Sequence, residues 1–141
     1  MKCLWSMLLL LATVTASAQT TSNDITGKWM AEDGSARFEI YKSGNEYRGK
    51  ITWLKNPKGS KATDQRNPDK SLRNRPILGL EILTGLKYHP SENTWNGGRL
   101  YSPENGVYAD ASVTRVDINT IKIQGRKYGV AKTKTWKRYE D

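Results

Sequence analysis

The sequence predicts an all-β fold, a single antiparallel up-and-down β-barrel of about eight strands. Three observations lead to this prediction. Apolar and polar residues alternate with a period of two in successive segments, short turns rich in Gly, Asn and Pro separate these segments, and no apolar repeat of helical spacing continues for the length of a helix. Short connections favour antiparallel neighbours, and closing the meander removes exposed sheet edges. An open β-sandwich is the alternative architecture.

Eight segments carry the strand pattern. Within 47–54 the alternation predicts that Ile51 and Trp53 share one face of the strand. Gly97-Gly98 predicts a bulge or a close approach of two strands, and the stretch 70–73 has room for one turn of helix. The predicted strands are residues 25–30, 36–41, 47–54, 77–83, 95–101, 107–114, 121–124 and 131–139.

The N-terminal segment has the layout of a secretory signal peptide. Lys2 supplies the positive charge, residues 4–14 form an apolar run, and Ala16-Ser17-Ala18 is a small-residue cleavage signal. The run is shorter than the ~20 residues that a membrane-spanning helix needs, so we expect no membrane span. The expected organisation is a removed signal peptide over 1–18 and a single barrel domain over 19–141, in the periplasm or secreted.

Composition excludes several classes of protein. A chain of 141 residues is long enough for one ordinary domain, and an aromatic content of 9% argues against a wholly disordered chain. One Cys and one His exclude a Cys/His zinc site, a multi-histidine metal centre and a disulfide-built mini-protein. Cys3 lies in the signal peptide, so the exported domain has to rest on its hydrophobic core. We expect no metal and no cofactor.

Two motifs lie near the ends of the predicted domain. Gly27 and Trp29 lie on the first predicted strand, and Trp136 precedes the basic pair Lys137-Arg138 on the last. Together they resemble the calycin plan. In calycin barrels a basic side chain from the final strand packs across the tryptophan of the first. The resemblance therefore implies that Gly27, Trp29, Trp136 and Arg138 close the barrel.

A longer pattern extends over nearly the whole predicted domain. Its residues are Gly49-Lys50-Ile51-x-Trp53-Leu54, Asp64-x-x-Asn67-Pro68, Arg75-Pro76-x-Leu78-Gly79-Leu80, Trp95-x-Gly97-Gly98-x-Leu100-Tyr101-x-Pro103-x-x-Gly106-x-x-Ala109 and the terminal Trp136 with Arg138. This pattern resembles an exported bacterial family catalogued as domain of unknown function 2147. The similarity implies a small barrel like those of lipocalins or fatty-acid-binding proteins, and it brings no established activity.

The loop over 55–75 is long and strongly basic. Loops of more than roughly a dozen residues are uncommon in compact domains unless they are lids, binding loops or disordered segments. One interpretation is an electropositive lid for an anionic partner; the other is a solvated loop whose charge keeps the protein soluble. Asp64 and the Asn67-Pro68 turn would fix the loop through bonds to nearby amides. Its basic residues are Lys55, Lys58, Lys61, Arg66, Lys70, Arg73 and Arg75.

Catalytic constellations are weak in this sequence. His89 precedes Pro90 in a turn-like stretch, and no G-x-S-x-G nucleophile elbow is present. Glu81 and Asp110 are the two acids that could act as a carboxylate pair on a glycan or lipid, provided that both face one cavity. We therefore expect no enzyme activity, and an enzyme acting through Glu81 or Asp110 is the least favoured hypothesis.

The leading functional hypothesis is an exported, monomeric barrel that binds a small amphiphilic or apolar molecule under the basic loop. Arg66, Arg73 and Arg75 would pair with an acidic head group, and Trp53, Trp95 and Tyr101 complete the candidate ligand-binding set. The alternative is an envelope interaction or structural protein with a solid core, which docks through the same loop onto an acidic envelope component. Nucleic acid is not expected as a partner, because export argues against it and the loop lacks interleaved aromatic residues.

Overall fold

The computed structural model describes residues 24–56, 58 and 62–141, so the predicted signal peptide over 1–18 lies outside the described residues. Within the described part, no helix has the length and apolar character needed to cross a membrane. Eight antiparallel strands follow one another around a closed barrel, which confirms the predicted fold class. They are β1 Gly27–Ala31, β2 Ala36–Ser43, β3 Glu46–Leu54, β4 Glu81–His89, β5 Thr94–Ser102, β6 Val107–Asp117, β7 Thr120–Lys127 and β8 Val130–Arg138.

The barrel closes where the first strand pairs with the last. Trp29 lies opposite Arg138 and Ala31 lies opposite Trp136 in the β1–β8 register. The Arg138 guanidinium lies 4.3 Å from the centre of the Trp29 ring and also donates to the carbonyl of Thr26 at 2.7 Å. A Cβ at Gly27 would lie 2.7 Å from Nη1 of Arg138, so glycine leaves room for the guanidinium. These are the contacts that the calycin resemblance implies.

Aromatic side chains occupy much of the barrel interior. Trp29 and Trp95 are fully buried, and the Phe38 and Trp136 rings stack with centroids 3.9 Å apart. Packing is also close at Gly125, where a Cβ would lie 3.3 Å from Leu100 Cδ2 and 3.4 Å from the Ala109 Cβ. Burial of each large side chain stabilises the fold by about 2–3 kcal/mol on area grounds.

Trp53 faces away from this interior, so the prediction that it shares a face with Ile51 is wrong. Phe38 pairs with Ile51 and Arg37 with Trp53, which leaves one extra residue on β3 at this point. A bulge of this kind breaks the alternation of faces. Ile51 is buried, whereas Trp53 is 38% exposed and its ring lies 4.8 Å from the Arg37 guanidinium.

The fourth strand also differs from the sequence pattern. It runs from Glu81 to His89, whereas the apolar pattern predicts a strand over 77–83. Residues 77–80 belong to the loop but lie against β3, where Gly79 donates to the Ile51 carbonyl at 2.8 Å and Ile51 to the Leu80 carbonyl at 3.0 Å. This partial pairing explains the strand-like apolar pattern.

Two smaller predictions are confirmed. The β5–β6 register shifts between Trp95 and Gly98, and a Cβ at Gly98 would lie 2.6 Å from the Thr84 carbonyl oxygen, so Gly97-Gly98 gives both a bulge and a close strand approach. A single 3₁₀ turn, Lys70–Leu72, forms in the long loop and is capped by the Asp69 side chain.

Candidate functional site

The long loop lies against the outer wall of the barrel, on strands β5 and β6. In the registers, Leu83, Leu100 and Ala109 follow one another across the inner face. Tyr101 and Tyr108 are their immediate neighbours along the strands and pair with each other, so they point outward. Tyr101 is nevertheless only 3% exposed and lies outside the apolar core cluster. The loop supplies its cover.

A buried carboxylate joins the loop to this wall. Asp64 is fully buried and accepts hydrogen bonds from Nε of Arg75 at 2.9 Å, from Nδ2 of Asn67 at 2.8 Å and from the Tyr101 hydroxyl. Asn67 is also fully buried and donates to the Tyr108 hydroxyl at 3.3 Å. These five side chains, the Asp64 network, pair the polar groups that the loop buries, as buried charges require.

The network shifts the titration of its members. Burial alone raises the pKa of Asp64, but the hydrogen bonds from Tyr101, Asn67 and Arg75 outweigh it and hold the pKa below the usual value. Burial, followed by the bond to Asp64, raises the pKa of Tyr101 to about 12. At neutral pH Asp64 is therefore ionised and Tyr101 is a neutral donor.

The three loop arginines of the candidate site all bond within the loop or to the barrel. Arg66 donates from Nη1 to the Glu104 carbonyl in the β5–β6 turn, and Arg73 donates from Nε to the Asn67 carbonyl at 2.8 Å. Arg75 donates to Asp64, so each of the three arginines helps to hold the loop in place. The basic composition of the loop thus has a role in its docking.

A groove of about 530 Å³ opens between the loop and the outer wall; we call it the wall groove. Its volume is within the range of small-molecule sites, roughly 300–1,000 Å³. The lining combines apolar side chains with two guanidinium groups. The lining residues are Arg75, Pro76, Leu78, Gly79, Leu80, Glu81, Ile82, Thr84, Arg99, Tyr101 and Tyr108.

Charge in the wall groove is unevenly neutralised. Arg75 is paired with Asp64, and Glu81 accepts from the Tyr41 hydroxyl and lies 3.3 Å from Nη1 of Arg48. Arg99 stacks on the Tyr108 ring at 4.8 Å and forms no ion pair within the described part of the chain. Asp110 lies opposite Arg99 in the β5–β6 register but forms none of the described ion pairs with it, so Arg99 is the less neutralised of the two guanidinium groups that line the groove.

The structure brings together only part of the predicted ligand-binding set. Arg75 and Tyr101 line the wall groove, whereas Arg66 and Arg73 hold the loop outside its lining. Trp53 lies on the outer face of β3, and Trp95 is buried in the interior beside Tyr88, with ring centroids 4.8 Å apart.

Arg99 and Tyr108 are groove residues that the sequence analysis did not select. Arg99 lies two positions before Tyr101 on β5, so the two side chains share one face of the strand. This spacing could have identified Arg99, but only if the sequence had also shown that Tyr101 points outward.

The candidate catalytic acids are not arranged as a pair in one cavity. Glu81 lines the wall groove, whereas Asp110 is exposed and absent from that lining. His89 is the exposed last residue of β4. Among residues 24–56, 58 and 62–141, no group of three or more His, Cys, Asp or Glu side chains is placed to hold a metal ion.

Comparison with known proteins agrees with the barrel architecture. A family model described as "Uncharacterized protein conserved in bacteria (DUF2147)" matches residues 27–138. Among solved structures, protein HP1028 from the human pathogen Helicobacter pylori, described as belonging to the lipocalin family, matches with a TM-score of 0.71 at 24% sequence identity, over 84% of this chain and 84% of that chain. No curated protein matches the sequence. The structural match shows a lipocalin-like fold.

Proposed function

The chain belongs to the bacterial family DUF2147, whose description names no activity, and we propose from the geometry that it is an exported, non-enzymatic protein that binds a small amphiphile with an acidic head group. The wall groove is the binding site in this proposal. The proposal places the ligand in the wall groove and not inside the barrel, because aromatic side chains occupy much of the described interior.

The observation that carries the proposal is that Arg99 lines the same groove as apolar side chains. Arg99 forms none of the described ion pairs, although Asp110 lies opposite it in the β5–β6 register, and a guanidinium suits the planar fork of a carboxylate or phosphate. Leu78 is 39% exposed and lines the same groove together with Leu80. An alkyl chain on these leucines would place its acidic end beside Arg99.

The Asp64 network supports this function by fixing the shape of the groove. Tyr101 and Arg75 line the groove and also bond to the buried Asp64. Because their hydrogen bonds are already formed, little side-chain entropy is lost when a ligand binds. The network thus acts as a preorganised floor.

The test uses a dye attached within the groove. Residues 19–141 contain no cysteine, so Leu78→Cys offers a unique site for a solvatochromic label, and Ile118→Cys, 57% exposed at the opposite end of the barrel, is the matched control. A fatty acid, an alkyl phosphate and the fatty alcohol of the same chain length are titrated. The fatty acid and the alkyl phosphate should change the emission of the dye at position 78 but not at position 118. The fatty alcohol should give a smaller change at position 78.

A second variant tests the head-group contact. Arg99→Gln should weaken binding of the fatty acid about tenfold to a hundredfold, as expected for a lost charge-assisted hydrogen bond, and leave the alcohol unchanged. Lys122→Gln, an equal change of charge outside the lining, should have no effect. Equal affinity for acid and alcohol, or a response at position 118 alone, would overturn the proposal.

A further inference from the structure

The end of the β7–β8 hairpin extends into solvent as an ordered, fully exposed element. Every residue over 126–134 is exposed, yet the register continues to the Lys127–Val130 pair next to the turn. Tyr128 is 93% exposed and Val130 is 62% exposed. We call residues 126–134 the basic hairpin. Tyr128 and Val130 are its large exposed apolar side chains.

The turn holds an aromatic residue in an unfavourable backbone conformation. Tyr128 has φ of 51° and Gly129 has φ of 75°, the left-handed pair of a two-residue hairpin turn. Asn-Gly is the favoured sequence for such a turn, and a bulky residue at positive φ is costly. Packing does not compensate, because the contact described for the Tyr128 ring is Lys127 Nζ at 5.2 Å. Strain of this kind, without a packing benefit, is typical of functional positions.

The hairpin has one sign of charge. Residues 126–134 include four basic side chains and no acidic one. Two of the four have an acidic neighbour. Asp110 lies opposite Arg126 in the β6–β7 register. The pKa of Asp33 is lowered first by hydrogen bonds from Ser35 and then by the charge of Lys134. None of the four forms one of the described ion pairs, and for Lys127 and Lys132 no neighbouring carboxylate of these two kinds is described either.

We propose that the basic hairpin docks the protein on the surface of a bilayer that contains anionic lipids. Tyrosine is favoured at the headgroup level of a membrane, where its ring is buried and its hydroxyl stays hydrated. Lys127 and Lys132 flank it and meet the negative surface potential. Val130 adds apolar area beside the ring, which an anionic polymer in solution would not use. This inference goes beyond the proposed function and does not depend on the wall groove.

The test measures binding of residues 19–141 to vesicles by co-sedimentation. Vesicles of phosphatidylcholine mixed with phosphatidylglycerol should bind the protein, and vesicles of phosphatidylcholine alone should bind it far more weakly. Lys127→Gln with Lys132→Gln should weaken binding roughly 30-fold, because each basic residue near an anionic surface contributes about fivefold. The control pair Lys42→Gln with Lys87→Gln removes the same charge at the opposite end of the barrel and should bind as the unchanged protein does.

Tyr128→Asn separates docking from folding. Asparagine relieves the positive φ, so the variant should be at least as stable as the unchanged protein, yet it should bind anionic vesicles about tenfold more weakly. Equal loss in both lysine pairs would show nonspecific charge attraction, and full binding by Tyr128→Asn would remove the role of the turn. Retention on DNA or a sulfated polysaccharide without vesicle binding would assign the hairpin to an anionic polymer. Each of these results overturns the proposal.

Discussion

Arg75 and Asp64 are joined twice, by the side-chain bond from Nε of Arg75 to the buried carboxylate at 2.9 Å and by the backbone bond from the Asp64 amide to the Arg75 carbonyl at 2.9 Å. The double link closes the loop between them into a compact unit. Because the carboxylate also accepts from Tyr101 of β5, the same pair attaches that unit to the barrel.

Removal of the carboxylate should detach the loop from the wall. Asp64→Ala leaves the hydroxyl of Tyr101 and the amide of Asn67 without their acceptor and should reduce the free energy of unfolding by about 3–5 kcal/mol. Denaturant titration measures this loss. Asp69→Ala, which removes the exposed cap of the 3₁₀ turn, should cost about 1 kcal/mol. Equal costs for the two variants would show that the Asp64 network does not hold the loop.

Acid should weaken the same attachment. The pKa of Asp64 is lower in the folded protein than its usual value of 3.8, since the bonds from Tyr101, Asn67 and Arg75 outweigh burial. A depressed pKa contributes stability that is fully present above the unfolded value and is lost as the pH falls through the folded value. The stability difference between the unchanged protein and Asp64→Asn should therefore be constant near neutral pH and shrink below about pH 4. If the stability difference between the two proteins grew on acidification, the pKa of Asp64 would be raised and not lowered by folding.

The two fully buried indoles should respond differently to replacement by phenylalanine. Nε1 of Trp29 donates to the Ile25 carbonyl at 2.9 Å, whereas Nε1 of Trp95 is buried with no partner within the described residues. Both changes leave a cavity, but Trp29→Phe also orphans a carbonyl and Trp95→Phe removes an unsatisfied donor. Trp29→Phe should cost about 1–3 kcal/mol more than Trp95→Phe in thermal or denaturant unfolding. The reverse order would show that Trp95 has a partner in solution.

Gly106 should be intolerant of a side chain. Its φ is 65°, and a Cβ would lie 1.9 Å from the Arg66 carbonyl oxygen, so Gly106→Ala displaces the loop from the β5–β6 turn. Trypsin should then cleave the loop at Arg66 or Arg73 much faster than in the unchanged protein. Gly129→Ala is the control, because Gly129 has φ of 75° but nothing within 4 Å of its Cβ. It should lose about 1 kcal/mol of stability and keep the loop protected. Rapid cleavage in both variants would mean that strain alone, and not the contact, releases the loop.

The sequence by itself determined the barrel. Period-two alternation and short turns encode local strand geometry, and the pairing of neighbouring strands follows from the short connections. The resemblance of Gly27, Trp29 and Arg138 to the calycin plan implied that the first and last strands close the barrel, and these two strands pair in the structure. The predicted strand over 77–83 differs from the observed β4, Glu81–His89, because residues 77–80 bond to β3 without being part of β4.

The tertiary structure decided which face each side chain presents and where the loop lies. One extra residue in β3 turns Trp53 outward, and no alternation pattern contains the position of a bulge. Tyr101 is apolar enough for either face; the β5–β6 register turns it outward, and the loop buries it there by bringing Asp64, 37 positions earlier in the chain, to its hydroxyl. Long-range burial of this kind depends on the closed barrel, so the sequence could supply Arg75 and Tyr101 as candidates but neither Arg99 and Tyr108 nor the assembly of the groove.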